Sequence, residues 1–213
     1  MRSFILVIIF FFSIFTPSFG QDIDPTSIKL GVKGGLSYLF NDEHTSTFEG
    51  YQDIEKRVGT NIGVNINYLI DISNILILGT EYNRSMTFAH SSSLQTEWVF
   101  QAYSIYFGYQ YNFLKISSNI FPYVSTDVSY LIGKERIIKK YTDENIVKKY
   151  YRTESGFGID GNVGLVYTLT NQLELLTEIK LRYANASAFT EDSKYNSIEF
   201  SGIYFNIGIN YDL

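Results

Sequence analysis

Seven charged residues, Lys33, Glu81, Asp127, Asp160, Glu178, Lys180 and Arg182, stand in segments where apolar residues alternate with polar or small ones. In extended chain that alternation turns all seven to the side away from the apolar residues. The three cations and four anions are close to balance, as a network of buried ion pairs requires. The other use of such a set is to line a selective pore. Pairing is favoured, because a narrow barrel is just wide enough for its side chains to fill.

Three further groups bear on chemistry. His90-Ser91-Ser92-Ser93, with Glu97 nearby, holds the imidazole, hydroxyl and carboxylate that nucleophilic catalysis uses. Serine-rich stretches are also ordinary loop composition, and the loop reading is preferred, with no catalytic residue assigned. His44, beside Asp42 and Glu43, reads as a loop histidine. Lys139, Lys140, Lys148 and Lys149 flank a Thr142–Asn145 turn signal and predict a cationic β-hairpin. Such a hairpin could hold phosphates or an acidic partner, or its charges could simply guard an exposed edge. With no cysteine and two histidines among 213 residues, no metal site and no cofactor are expected. A net charge of -5 argues against nucleic acid as a partner.

Eight alternating segments carry these residues. The second is the clearest: Val58, Ile62, Val64, Ile66 and Tyr68 oppose Gly59, Asn61, Gly63, Asn65 and Asn67. Comparable segments begin near Ile28, Ile75, residue 97, Phe121, Phe157, Leu173 and Ile203. Short links at 71–74, 114–120 and 170–172 alternate with long ones at 41–56, 89–96, 134–155 and 184–197. The fold class predicted is all-β, an antiparallel up-and-down transmembrane barrel of eight strands, with short periplasmic turns and longer extracellular loops.

Alternation does not say which face is inside, and a lipocalin-like barrel would turn its apolar face inward. The mixed charges and many glycines of the polar face favour the inverted arrangement. So do aromatics expected at both ends of the apolar face. Tyr68, Tyr111, Phe113, Tyr123, Tyr167 and Tyr211 fall near the short-turn end, and Tyr38, Phe40, Phe88, Tyr130, Phe157 and Tyr183 near the loop end. In hydrocarbon such a sheet must close, first strand against last. Arg2, the apolar run Phe4–Phe15 and the Ser18-Phe19-Gly20 ending read as a cleaved signal peptide over residues 1–20. Residues 21–26 are then a short periplasmic segment and 27–213 the barrel domain.

The opening strand Ile28-Lys29-Leu30-Gly31-Val32-Lys33-Gly34-Gly35-Leu36-Ser37 resembles the first strand of the outer membrane protein beta-barrel family common in Bacteroidetes-type bacteria. The ending Asn206-Ile207-Gly208-Ile209-Asn210-Tyr211-Asp212-Leu213 is similar to the C-terminal assembly signal of outer-membrane proteins, with Asn206, Gly208, Tyr211 and Leu213 at its positions. Leu213 replaces the commoner terminal Phe. The resemblance implies a monomer in the bacterial outer membrane, inserted by the assembly machinery and surrounded by lipid and lipopolysaccharide. The function expected is structural or surface-interacting, like the small outer-membrane protein A and X types, and not enzymatic. A small porin-like channel, a lipid A-modifying enzyme and a soluble lipocalin-like barrel are the alternatives.

Overall fold

The computed structural model describes residues 27–40, 53–91, 94–113, 119–141, 146–186 and 198–213. The signal-peptide and 21–26 assignments, His44 with its acidic neighbours, and the Thr142–Asn145 turn lie outside the described residues.

The strands are β1 (Ile28–Leu39), β2 (Asp53–Leu69), β3 (Asn74–His90), β4 (Leu94–Asn112), β5 (Ile120–Tyr141), β6 (Ile146–Thr168), β7 (Leu173–Ala186), β8 (Ile198–Glu199) and β9 (Gly202–Asp212). Each pairs antiparallel with its neighbours, and β9 lies between β7 and β1, so the sheet closes. β8 and β9 are one strand in function. Both pair with β7 in the same register, and the Phe200 amide bridges the gap by donating to the Ala184 carbonyl at 2.9 Å. Eight walls therefore enclose the interior, as the alternation predicts.

The stagger fixes the barrel's dimensions. Register partners followed once around the sheet from Lys29 are Asn67, Ile77, Gly108, Asp127, Asp160, Arg182 and Gly202, and the path returns to β1 at Leu39, a shear of ten. With eight strands this gives a tilt of about 40° and a backbone radius of about 8 Å. Large inner side chains need small residues opposite them at that radius. A Cβ on Gly79 would stand 2.5 Å from the Tyr106 ring, and one on Gly164 would stand 2.6 Å from that of Tyr123.

One expectation about the links needs correction. The link expected at 89–96 is not long: β3 runs to His90 and β4 starts at Leu94. The 134–155 segment is the predicted hairpin, with β5 and β6 paired from Ile120↔Tyr167 to Tyr141↔Ile146. At this end the chain is taken up by longer strands, because the alternation weakens there while the backbone pairing persists.

Candidate functional site

The alternation places its two faces on opposite sides of the wall. Val64, Ile105 and Ile207 are 51%, 59% and 64% exposed on the outside, while Lys180 and Asp160 are 0% exposed within. All seven charged residues singled out from the sequence are buried inside. Some partners are register neighbours, as Arg182 and Asp160 are, and others, as Lys180 and Glu81, come from distant strands brought to one level by the shear.

Arg182 on β7 clasps Asp160 on β6 through Nε–Oδ1 at 2.9 Å and Nη2–Oδ2 at 2.7 Å, a fork matched to a carboxylate. Its Nη1 lies 2.9 Å from Glu81 Oε1 across the lumen. Lys180 donates to Glu81 Oε2 at 2.6 Å and stands 3.6 Å from Asp160 Oδ2. Below this quartet, Glu178 accepts from Lys33 at 3.1 Å, from Asn206 at 2.8 Å and from the Tyr123 hydroxyl at 3.0 Å. Asn61 donates to Asn206 at 2.7 Å, tying β2 into the same network. Asp127 is held differently. It accepts from Asn162 at 2.9 Å and, among the described residues, makes no ion pair.

Aromatic rings fill the spaces between charges. Lys33 and Lys180 lie 5.4 and 5.6 Å from the Tyr106 centroid, and Arg182 lies 5.0 Å from that of Tyr204. Apolar clusters stand on either side of the charged layer. Toward the long-strand end they include Trp98, Phe100, Leu131, Phe200 and Tyr204, and toward the short-turn end Tyr123, Val166 and Leu176. Sequence reasoning missed these inner apolar residues. For Leu131 and Val166 the parity was available, since they adjoin Tyr130 and Tyr167, which the sequence places on the outer face.

Tyr123 is a correction of the same kind. It was expected in the outward aromatic belt, yet it is 2% exposed and points inward, opposite in parity to Val124. The remaining belt residues lie on the outer face. From Tyr111 to Tyr103 on β4, and from Tyr167 to Phe157 on β6, the rise along the barrel axis is about 20–25 Å at the tilt given above. The outward surface between them is apolar apart from scattered threonines such as Thr80, Thr126 and Thr177.

The structural neighbours of this chain are outer-membrane β-barrel proteins. A major outer membrane protein from Thermus thermophilus matches 87% of this chain and 99% of its own at 12% identity, with a TM-score of 0.52. The N-terminal β-barrel domain of Pseudomonas aeruginosa OprF matches 89% of this chain and 98% of its own at 13% identity and a TM-score of 0.47. Neisserial surface protein A matches 88% and 97% at 15% identity, with a TM-score of 0.47. No family model matches the sequence, and no curated protein does. The likeness is one of fold, and it agrees with the outer-membrane barrel resemblance carried by the two terminal strands.

The other sequence candidates are placed as follows. Asn206 and Gly208 face inward on β9, while Tyr211 and Leu213 face outward, and the Leu213 amide donates to the Ile28 carbonyl at 3.0 Å. Lys139 and Lys148 stand directly opposite each other on the hairpin, 5.9 Å from the Tyr150 centroid and 5.5 Å from the Tyr141 centroid. Lys140 and Lys149 are exposed on its other face. Of the His90 group, Ser92 and Ser93 lie outside the described residues; Ser91 donates to the Leu94 carbonyl at 3.4 Å, and Glu97 lies 3.6 Å from Arg136.

Proposed function

We propose that the chain is an integral barrel of the bacterial outer membrane, exported by a signal peptide cleaved near residue 20. It has a structural or surface-interaction role, a closed interior and no enzymatic activity. The observation that carries this is the inverted distribution of side chains, with paired charges inside and a continuous apolar wall outside. Monomeric soluble proteins rarely expose apolar patches beyond a few hundred Å². A bilayer solvates such a wall, and the closed sheet leaves no backbone group unpaired within it. The spacing of the two aromatic levels fits an apolar band of about 25 Å.

In this reading the short turns and both chain ends face the periplasm, and the β5–β6 hairpin stands outside the cell. Each of its strands spans about 55 Å of the axis, roughly twice the apolar band. The four lysines at its tip are the surface offered to an acidic partner. Lys139 and Lys148 repel each other across the ladder, and an anion bound between them would relieve that cost. Asn206, Gly208, Tyr211 and Leu213 serve as the signal read by the assembly machinery.

Heat-modifiable gel mobility of the outer-membrane fraction tests the reading. A folded band that shifts on boiling is expected. A chain recovered wholly in the soluble periplasmic fraction would refute it.

A further inference from the structure

The outer wall changes where it leaves the apolar band, and among the described residues its cations gather on one side. On β2–β6 the row Ile62–Tyr82–Tyr103–Ile132–Ser155 closes the band. The row above reads Thr60–Arg84–Gln101–Lys134–Thr153, and the next reads Arg57–Met86–Val99–Arg136–Tyr151. On β3–β5 these two rows hold Arg84, Lys134 and Arg136 and no carboxylate. Carboxylates begin one row higher, where Glu55 and Glu97 both stand opposite Phe88, and Glu97 lies 3.6 Å from Arg136, so that cation shares its charge with a carboxylate.

The cations are braced on the aromatic level beneath them. Lys134 lies 5.5 Å from the Tyr103 centroid, Tyr103 stacks on Tyr82 at 4.8 Å, and Gln101 between the two cationic strands donates to the Tyr82 hydroxyl at 2.8 Å. Val99 faces outward between Met86 and Arg136, yet it is only 2% exposed, as expected where long side chains lie across it. Across the barrel at this level, Phe40 and Asn185 take the corresponding outward positions, and neither is charged.

From this placement we infer that Arg84, Lys134 and Arg136 form a binding surface for the phosphate groups of an outer-leaflet lipid headgroup. The inference rests on the membrane reading above and names the lipid chemistry that one side of the wall takes. Aromatic rings mark the level where acyl chains meet headgroups, and cations just beyond them meet phosphate. Arg84 and Lys134 flank Gln101 two strands apart, a separation of about 10 Å. Their flexible side chains can therefore converge on one phosphate, with Arg136 one row above.

The test uses the full mature chain in phosphatidylcholine nanodiscs doped with bisphosphorylated lipid A, reading the lipid co-isolated with the protein. The variant Arg84→Gln/Lys134→Gln/Arg136→Gln should retain lipid A about fivefold more weakly for each cation removed. The variant Lys115→Gln, in the link between β4 and β5, should retain it as wild type does. Lipid A stripped of its phosphates should show no difference between wild type and the triple variant, and millimolar inorganic phosphate should not displace the intact lipid. Equal retention of bisphosphorylated lipid A by wild type and a triple variant that inserts and keeps heat-modifiable mobility would overturn the inference alone. Failure of wild type to enter the nanodisc would instead overturn the membrane reading.

Discussion

At the scale of single residues, the charged layer behaves as one unit. Lys180 is fully buried among Glu81, Asp160 and Tyr106, so removing it leaves two buried carboxylates with Arg182 alone between them. Lys180→Met should destabilise the refolded barrel by about 3 kcal/mol, measured by urea unfolding in vesicles. Adding Glu81→Leu leaves the Arg182–Asp160 clasp balanced and should restore most of the loss. A second prediction concerns fit. Gly79→Ala places a methyl against the Tyr106 ring and 2.7 Å from the Val64 carbonyl oxygen and should cost about 1–3 kcal/mol, relieved only in part in the double variant with Tyr106→Leu.

How these residues face was legible in the sequence, because alternation assigns a face wherever an apolar neighbour anchors it. Who pairs with whom was not. Lys180 meets Glu81 only because the shear lifts β7 to the level of β3, and that stagger is a property of the closed sheet. Tyrosine gave the other difficulty. Its ring suits lipid and its hydroxyl suits a polar interior, so type alone misplaced Tyr123. Its neighbour Val124 carried the parity that places it correctly.

At the scale of elements, each strand presents two solvents with opposite demands. Ile207, midway along β9, should tolerate Arg poorly, at about 2–4 kcal/mol, while Tyr211 near the turn end should lose only about 0–1 kcal/mol. Equal costs at both positions would contradict a hydrophobic gradient along the strand. The hairpin is a different kind of element. Ile137 and Tyr150 are register partners, so replacing 138–149 by a two-residue Asn-Gly turn preserves the pairing below. That truncated barrel should fold and insert as the full chain does, as read by heat-modifiable mobility. The strand count and the hairpin were legible in advance. The short connection between β3 and β4 was not, since backbone pairing continues there after the side-chain pattern has faded.

At the scale of the molecule, the sheet is a closed wall that holds charges, rings and aliphatic side chains in successive layers, and the proposed reading is that these layers close the lumen. A barrel of this kind should carry no steady current in planar bilayers, and stable unitary conductance would show an open path through the layers. The apolar exterior bears more directly on the central claim, and the absence of cysteine makes it accessible to single-site labelling. Spin labels on cysteines introduced at Val64, Ile105 and Ile207, with the chain reconstituted in vesicles, report collision with oxygen and with a water-soluble nickel complex. A lipid-embedded wall predicts high oxygen and low nickel accessibility at all three, rising toward nickel at Tyr151 on the projecting hairpin. Nickel accessibility at Val64, Ile105 and Ile207 equal to that at Tyr151 would contradict a membrane-spanning barrel.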